Sequence, residues 1–197
     1  KCDWSSDVCS SDLESMGALA HAVKSGKALY AGISNYSAEQ AEEAIRVLKE
    51  MGLHLLIHQP RYNMLDRRPE QGLYGVLERE GVGAIPFSPL EQGILTDRYL
   101  NGIPADSRAA GASVFLTPEK LTPEVLDKVR QLNDMARDRG QTLAQMAVSW
   151  LLKTPVTASV IIGASRLAQI RDAVQAQENL QFTQDELKRI DEITLSK

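Results

Sequence analysis

The chain is short of cysteine and of long apolar segments. Its two cysteines, Cys2 and Cys9, both precede Leu13, and the rest of the 197 residues contain none. Disulfide bonds therefore cannot brace the main part of the chain, which fits a reducing cytoplasm. No apolar run approaches the roughly 20 residues that a membrane-spanning helix requires. The sequence thus predicts a cytoplasmic protein that does not partner with a membrane.

The sequence also lacks an excess of basic charge, the common phosphate-binding motifs and clusters of metal ligands. The formal net charge is -4, which argues against a nucleic-acid partner because such a surface needs a concentrated basic face. No GxGxxG follows a strand pattern, and no GxxxxGK[ST] occurs. Because no group of His, Cys, Asp and Glu has the spacing of zinc or calcium ligands, we expect no metal site.

The first residues differ from the remainder. Lys1–Leu13 is rich in Ser and Asp and has no sustained apolar period. We expect a disordered leader here, and a metal or disulfide loop at Cys2 and Cys9 is the alternative. The segment also resembles translated adapter sequence. The authentic protein is therefore expected to occupy residues 14–197.

Short strand patterns alternate with helix patterns. A helix is predicted over Glu14–Ser25, and further helices are predicted after the capping residues Ser37, Thr122, Thr142 and Thr183. The predicted strands are Ala28–Ile33, Leu55–Gln59, Gly83–Phe87 and Ala158–Ile162. Because parallel strands need crossovers, the alternation predicts an α/β chain of about four βα units. Such a chain is half of a (β/α)8 TIM barrel, and a doubly wound open sheet is the alternative.

The stretch Ala158–Val174 predicts a strand, a tight turn and the start of a helix. The small-residue turn Gly163-Ala164-Ser165 leads into a helix pattern that opens with Arg166. The unpaired amides and the dipole at a helix N-terminus make phosphate a natural ligand. Ordinary packing of a strand against a helix gives the same pattern. The long irregular segment Asn101–Leu121 is interpreted as either a lid or a surface insertion.

Four motifs stand in the order found in the aldo-keto reductase superfamily. They are GISNYS at 32–37, HQPRYN at 58–63, FSPLEQGILTDRY at 87–99 and IIGASRLAQI at 161–170. The similarity extends over Glu14–Lys197, and within the superfamily it resembles bacterial L-glyceraldehyde 3-phosphate reductase-like enzymes and potassium-channel β subunits. The resemblance implies the C-terminal half of an NADP(H)-binding (β/α)8 barrel whose family reduces aldehydes and ketones by hydride transfer.

The same resemblance implies a cofactor site at the strand ends. The residues matched to the nicotinamide carboxamide and ring are Ser34, Asn35, Gln59 and Phe87. The residues matched to the pyrophosphate loop and to the basic covering segment are Ser88, Pro89, Leu90, Gln92, Arg98 and Arg108. The residues matched to the adenosine 2′-phosphate are Gly163, Ser165, Arg166 and Gln169. Asp172 matches an acidic position beside adenine, whereas Ala173 departs from the family's usual Asn. An arginine at the 2′-phosphate favours NADP over NAD.

The family's catalytic residues are not matched. Its proton-donating Tyr and the Asp, Lys and His partners come from the first half of the barrel, before the position at which this chain begins. The tyrosines of this chain, none of which matches, are Tyr30, Tyr36, Tyr62, Tyr74 and Tyr99. We therefore expect no catalytic residue and no turnover by this chain alone. The alternatives are an NADPH-binding regulatory subunit like the channel β subunits, or a fragment without activity of its own.

The histidines are expected to be structural. His21 lies on a helix face and His54 precedes a strand, so both are interpreted as packing or solvated residues. His58 neighbours Gln59 and should therefore point to the opposite side of its strand. The small carbonyl substrate of the whole enzyme and the oligomeric state are not encoded in these motifs.

Overall fold

The computed structural model describes residues 11–111 and 114–196, which fall into two units. The first unit comprises residues 11–61, 67–85 and 156–158, and the second comprises residues 62–66, 86–155 and 159–196. Most of the predicted leader lies outside the described residues, and the first helix begins at Ser11. No helix in these described ranges is long and apolar enough to cross a membrane.

The first unit is a parallel sheet with three helices. The helices are α1 (Ser11–Lys24), α2 (Ala38–Glu50) and α3 (Leu73–Glu80). The strands are β1 (Ala31–Ser34), β2 (Leu55–Gln59) and β3 (Gly83–Ala84), in the order β1-β2-β3. Both strand pairs are parallel, and α2 and α3 are the crossovers. The predicted α/β alternation is confirmed in this unit.

Helical periodicity places the core of the first unit. On α2 the buried side chains recur at helical spacing, and they join those of the strands and the other helices in one cluster. Members of this cluster are Met16, Ile33, Ala41, Ala44, Ile45, Leu48, Leu55, Leu77 and Ala84. The predicted cap is confirmed, since Gln40 N donates to Ser37 Oγ at 3.2 Å and Ser37 N donates to Gln40 Oε1 at 2.9 Å.

A close approach between β1 and β2 sets their pairing. A Cβ built on Gly32 would lie 3.1 Å from the carbonyl oxygen of Ile57, so a larger residue would push the strands apart. With glycine at this point, Ile33 pairs with His58 and Ser34 pairs with Gln59. The C-terminal ends of the two strands therefore lie side by side.

Two of the predicted strands are too long, and the predicted strand Ala158–Ile162 is wrong. β3 ends at Ala84, and residues 158–162 form no strand. The backbone bonds in this region include a parallel bridge between Ala84 and Thr157, where Ala158 N donates to Ala84 O at 2.9 Å, and a bond from Ile161 N to Pro86 O at 2.9 Å. Pro86 follows closely and has no amide hydrogen, so it cannot donate the next bond of a parallel ladder. β1 also begins three residues later than predicted, at Ala31.

The second unit is helical, with short 3-10 turns in its long loops. Its helices are α4 (Pro123–Asp138), α5 (Leu143–Leu151), α6 (Leu167–Gln175) and α7 (Gln184–Leu195). The predicted caps Thr122, Thr142 and Thr183 all accept a hydrogen bond from a first-turn amide. Fully buried side chains at its centre include Leu132, Leu143, Met146, Trp150 and Ile190.

A buried arginine joins the last helix to the rest of the second unit. The Arg139 side chain is only 5% exposed, and its Nη1 donates to Glu186 Oε1 at 2.7 Å. Its Nη2 donates to Gln181 O at 3.0 Å, and the guanidinium lies 3.8 Å from the centre of the Phe182 ring. Because the charge is paired and its donors are used, burial of this arginine is tolerated.

The first-unit residue His58 makes folding sensitive to acid. Its side chain is fully buried, and burial lowers its pKa from 6.5 to about 4, against a smaller opposing effect of a hydrogen bond with the Tyr36 backbone. Because the unfolded chain binds this proton at higher pH, His58 should lower the free energy of unfolding as the pH falls from 6.5 to about 4. The loss is roughly 3 kcal/mol at 1.36 kcal/mol per pKa unit.

Urea denaturation at several pH values tests this expectation. The His58→Leu variant should lose less stability than the wild type across that interval. The exposed-site variant His54→Gln should keep the wild-type dependence. Equal slopes for His58→Leu and wild type would contradict the assignment.

Candidate functional site

The residues predicted to hold a carboxamide come together in the first unit. Ser34 and Gln59 end the paired strands β1 and β2. Ser34 Oγ donates to Gln59 O at 2.8 Å, and Asn35 N donates to the same oxygen at 3.2 Å. The parallel pairing thus places a hydroxyl and two amide side chains at one edge of the sheet, where they can supply both donors and acceptors.

Asn35 is held in an unusual backbone conformation. Its φ is 57°, in the left-handed region that asparagine tolerates better than most residues. Its Oδ1 accepts a hydrogen bond from Arg61 N at 3.1 Å. This acceptor is therefore already used, whereas Nδ2 has no partner among the described residues and remains available as a donor.

A cavity of about 700 Å³ in the second unit contains most of the other predicted residues. Those lining it are Phe87, Ser88, Pro89, Leu90, Gln92, Arg98, Arg108, Gly163, Ser165, Arg166 and Gln169. Its size lies within the usual range for small-molecule and cofactor sites. Residues from two separated motifs and from the irregular segment thus share one cavity wall.

Three arginines make this cavity suited to an anion. Arg98 Nη2 pairs with Asp106 Oδ1 at 3.0 Å, while its Nε is buried without a hydrogen-bond partner among the described residues. Arg108 Nη1 donates to Gln92 Oε1 at 2.8 Å. In the described part of the chain the Arg166 guanidinium has no partner at all. An orphaned buried donor and an unpaired guanidinium fit phosphate oxygens.

The turn before α6 differs in part from the expectation. Ser165 N and Arg166 N donate to Gln169 Oε1 at 2.8 and 3.1 Å, so a side chain of the same helix already satisfies these two amides. The expectation of unpaired amides is wrong at both positions. Gln169 therefore acts here as a helix cap, which leaves the arginines and the remaining amides of the first turn as donors for any anion.

Asp172 lies in a neighbouring cavity of about 360 Å³. Leu90, Gly163 and Gln169 line both this cavity and the one that contains the arginines. The Asp172 carboxylate accepts from Gln145 Nε2 at 2.8 Å. Ala173 also lines this space. The predicted acidic residue is therefore placed beside, and not within, the arginine-lined cavity.

Sequence reasoning missed the residues that hold these side chains in place. Gln145 forms the predicted capping box with Thr142, but its hydrogen bond to Asp172 spans 27 residues. Asp106 likewise pairs with Arg98 from within the irregular segment. The motif residue Asn63 carried no predicted role. No sequence signal identifies these partners, because each depends on a loop or helix placed by the fold.

No group of three or more potential metal ligands lies together in the residues that the structure describes.

The chain belongs to the aldo/keto reductase family, whose sequence model matches residues 3–195. It is 53% identical over 183 residues to the L-glyceraldehyde 3-phosphate reductase of Escherichia coli (strain K12), covering 91% of this chain and 53% of that protein. It is 38% identical over 186 residues to a putative voltage-gated potassium channel subunit beta of Schizosaccharomyces pombe, covering 91% and 54%.

A solved structure agrees with this family. The thermostable aldo-keto reductase Tm1743, in complex with the inhibitor epalrestat, matches with a TM-score of 0.67 and 26% identity over 92% of this chain and 54% of that one. The family predicted from the four motifs is confirmed. The chain spans about half the length of the relatives that it matches.

The backbone conformation of the loop after β3 leads to one testable prediction about the cavity wall. Ser88 has φ 57° without being glycine. Ser88→Val should destabilise the protein by about 1–2 kcal/mol. Serine is already strained in the left-handed region, and the β-branched valine side chain adds to this strain.

Ser88→Gly is the matched variant and should be neutral or stabilising, because glycine adopts this conformation freely. Urea denaturation of both variants provides the measurement. Equal losses for the two would show that the strain is not located at Ser88.

Proposed function

We propose that the chain is the cofactor-binding half of an NADPH-dependent aldo-keto reductase, forming the C-terminal half of a (β/α)8 barrel. The single observation that carries the proposal is the cavity where Arg98, Arg108 and Arg166 meet. Anionic ligands with several phosphates suit such a wall, because charge-assisted hydrogen bonds from arginine are strong and directional. The absence of cysteine after Leu13 supports a cytoplasmic location.

The site residues divide into roles along the cofactor. Arg166 would bind the adenosine 2′-phosphate, and the loop that carries Ser88 and Gln92 would enclose the pyrophosphate. Phe87 offers an aromatic face for the nicotinamide ring. Considered by itself, the first unit presents at Ser34 and Gln59 the donors and acceptors that a carboxamide group requires. A bound nicotinamide supplies the hydride that reduces a carbonyl carbon.

Among the described residues of the proposed half-site, none is matched to the family's proton donor for the carbonyl oxygen. Such a donor needs neighbours that adjust its pKa toward the working pH. Burial raises the pKa of Tyr74 to about 12, which moves this tyrosine away from that range. We therefore expect this chain to bind NADPH without reducing carbonyl compounds.

Two measurements on the 197-residue chain test this proposal. Titration of NADPH, followed by the fluorescence of the reduced nicotinamide, should give saturable binding. Incubation with NADPH and methylglyoxal should give no loss of nicotinamide absorbance above the uncatalysed rate. A chain that binds no NADPH contradicts the cofactor role, and a chain that turns over contradicts the missing proton donor.

A regulatory function is the second candidate, favoured by the 38% identity to a putative channel subunit beta. In this case the same cavity would bind NADPH as a signal and not as a reductant. The nucleotide sequence immediately upstream of the codon for Glu14 distinguishes the two functions. A Tyr, Asp, Lys and His set of the family type upstream supports the enzyme, and its absence supports the regulator.

Arg166 should favour NADPH, which carries a 2′-phosphate, over NADH, which does not. Arg166→Ala should raise the dissociation constant for NADPH by about tenfold or more, because a hydrogen bond between charged groups is worth roughly 1.5–3 kcal/mol. The dissociation constant for NADH should change by less than about twofold, since that ligand lacks the 2′-phosphate.

Arg171→Ala is the matched control, because Arg171 is an exposed arginine of α6 that does not line the cavity. This variant should leave both dissociation constants unchanged. Equal losses of NADPH and NADH binding in Arg166→Ala would remove the 2′-phosphate role.

A further inference from the structure

Asn63 is a fully buried residue of the second unit, and both the nitrogen and the oxygen of its side-chain amide form hydrogen bonds. Its Nδ2 donates to Ser88 O at 3.0 Å and to Glu91 Oε2 at 2.7 Å. Its Oδ1 accepts from Leu65 N and Asp66 N, each at 2.9 Å. One amide group thus joins the loop that follows β2 to the loop that follows β3.

The loop that receives these hydrogen bonds is strained. Ser88, Glu91 and Gln92 have φ values of 57°, 43° and 59°, although none is glycine. Each such residue costs roughly 1–2 kcal/mol, so the conformation persists only where surrounding contacts hold it. Asn63 contacts this loop at both ends, and within the loop Glu91 N donates to Ser88 O at 3.1 Å.

The strained loop carries part of the arginine-lined cavity. Ser88 and Gln92 both line that cavity, whereas Asn63 and Glu91 do not. Gln92 Oε1 in turn accepts from Arg108 Nη1 at 2.8 Å. A continuous path of short contacts therefore runs from Asn63 through the loop to one of the three cavity arginines.

We propose that Asn63 is a positioning residue that holds the 88–92 loop in the shape that binds the pyrophosphate of a dinucleotide. The inference rests on the proposed function, because that function supplies the ligand. Asn63 does not touch the ligand itself. It selects the left-handed conformation of Ser88 and Glu91, which places Ser88 and Gln92 in the cavity wall before any ligand arrives.

Asn63→Asp tests this role with little change of shape. The aspartate keeps the acceptor for Leu65 N and Asp66 N, but it loses both donors and places a carboxylate beside Glu91. NADPH affinity should fall by about tenfold or more, since a buried hydrogen bond to a charged group becomes a repulsion. Amide hydrogen exchange should accelerate across residues 88–93.

A second ligand separates positioning from general destabilisation. Adenosine 2′-monophosphate keeps the group expected at Arg166 but has no 5′-phosphate and therefore no part of the pyrophosphate. Its affinity should change by less than about twofold in Asn63→Asp, because the turn before α6 is untouched. A general loss of folding would weaken both ligands together.

Repair of the hydrogen bond supplies the last arm of the test. In the double variant Asn63→Asp with Glu91→Gln, the glutamine amide can donate to the aspartate while the bond to Ser88 O stays lost, so part of the slow exchange and of the NADPH affinity should return, relative to Asn63→Asp alone. Asn101→Asp, at an exposed turn, controls for the added charge.

The outcomes keep the two proposals apart. A wild-type chain that binds neither ligand contradicts the proposed function. A wild-type chain that binds NADPH, together with an Asn63→Asp variant of unchanged NADPH affinity, unchanged exchange or equal losses for both ligands, overturns the positioning role alone.

Discussion

Parallel pairing between β1 and β2 is the constraint on which the first unit depends. It requires the close approach at Gly32, where a Cβ would meet the Ile57 carbonyl oxygen at 3.1 Å. Given that approach, the strand ends align and bring the Ser34 hydroxyl to the Gln59 carbonyl oxygen. Parallel strands also require crossovers, so α2 and α3 bury their apolar faces on the sheet. The polar edge and the apolar core thus follow from one geometric requirement.

The second unit is constrained differently, because the backbone of its 88–92 loop is strained. Ser88, Glu91 and Gln92 adopt left-handed backbone conformations that would relax in an isolated peptide. Two kinds of contact oppose this relaxation. The buried amide of Asn63 binds the loop directly, and the helices supply a rigid frame with a core around Trp150. Local strain is therefore tolerated because stability is provided elsewhere in the same unit.

Local signals predicted the helices well and the strands less well. The caps Thr142 and Thr183 accept hydrogen bonds from amides three residues further along the chain. A short stretch of sequence is therefore enough to predict them. A strand instead needs a partner from a distant segment, and Pro86 cannot continue the ladder beside Thr157. The same limit applies to the site. The residue types at strand ends were predictable, whereas the hydrogen bond between Gln145 and Asp172 spans 27 residues and depends on the fold.

The three cavity arginines are not equivalent, and their protein partners explain why selectivity should be concentrated at one of them. Arg98 is paired with Asp106, and Arg108 is hydrogen-bonded to Gln92, so both are oriented and the first is partly neutralised before a ligand binds. Arg166 has no side-chain partner in the described residues. A phosphate there gains a full guanidinium contact without breaking a protein contact, although it must order an exposed side chain. Arg98 and Arg108 should therefore set the shape of the cavity wall and attract anions in general. The contribution of Arg166 to affinity should depend most strongly on whether the ligand carries a phosphate at that position.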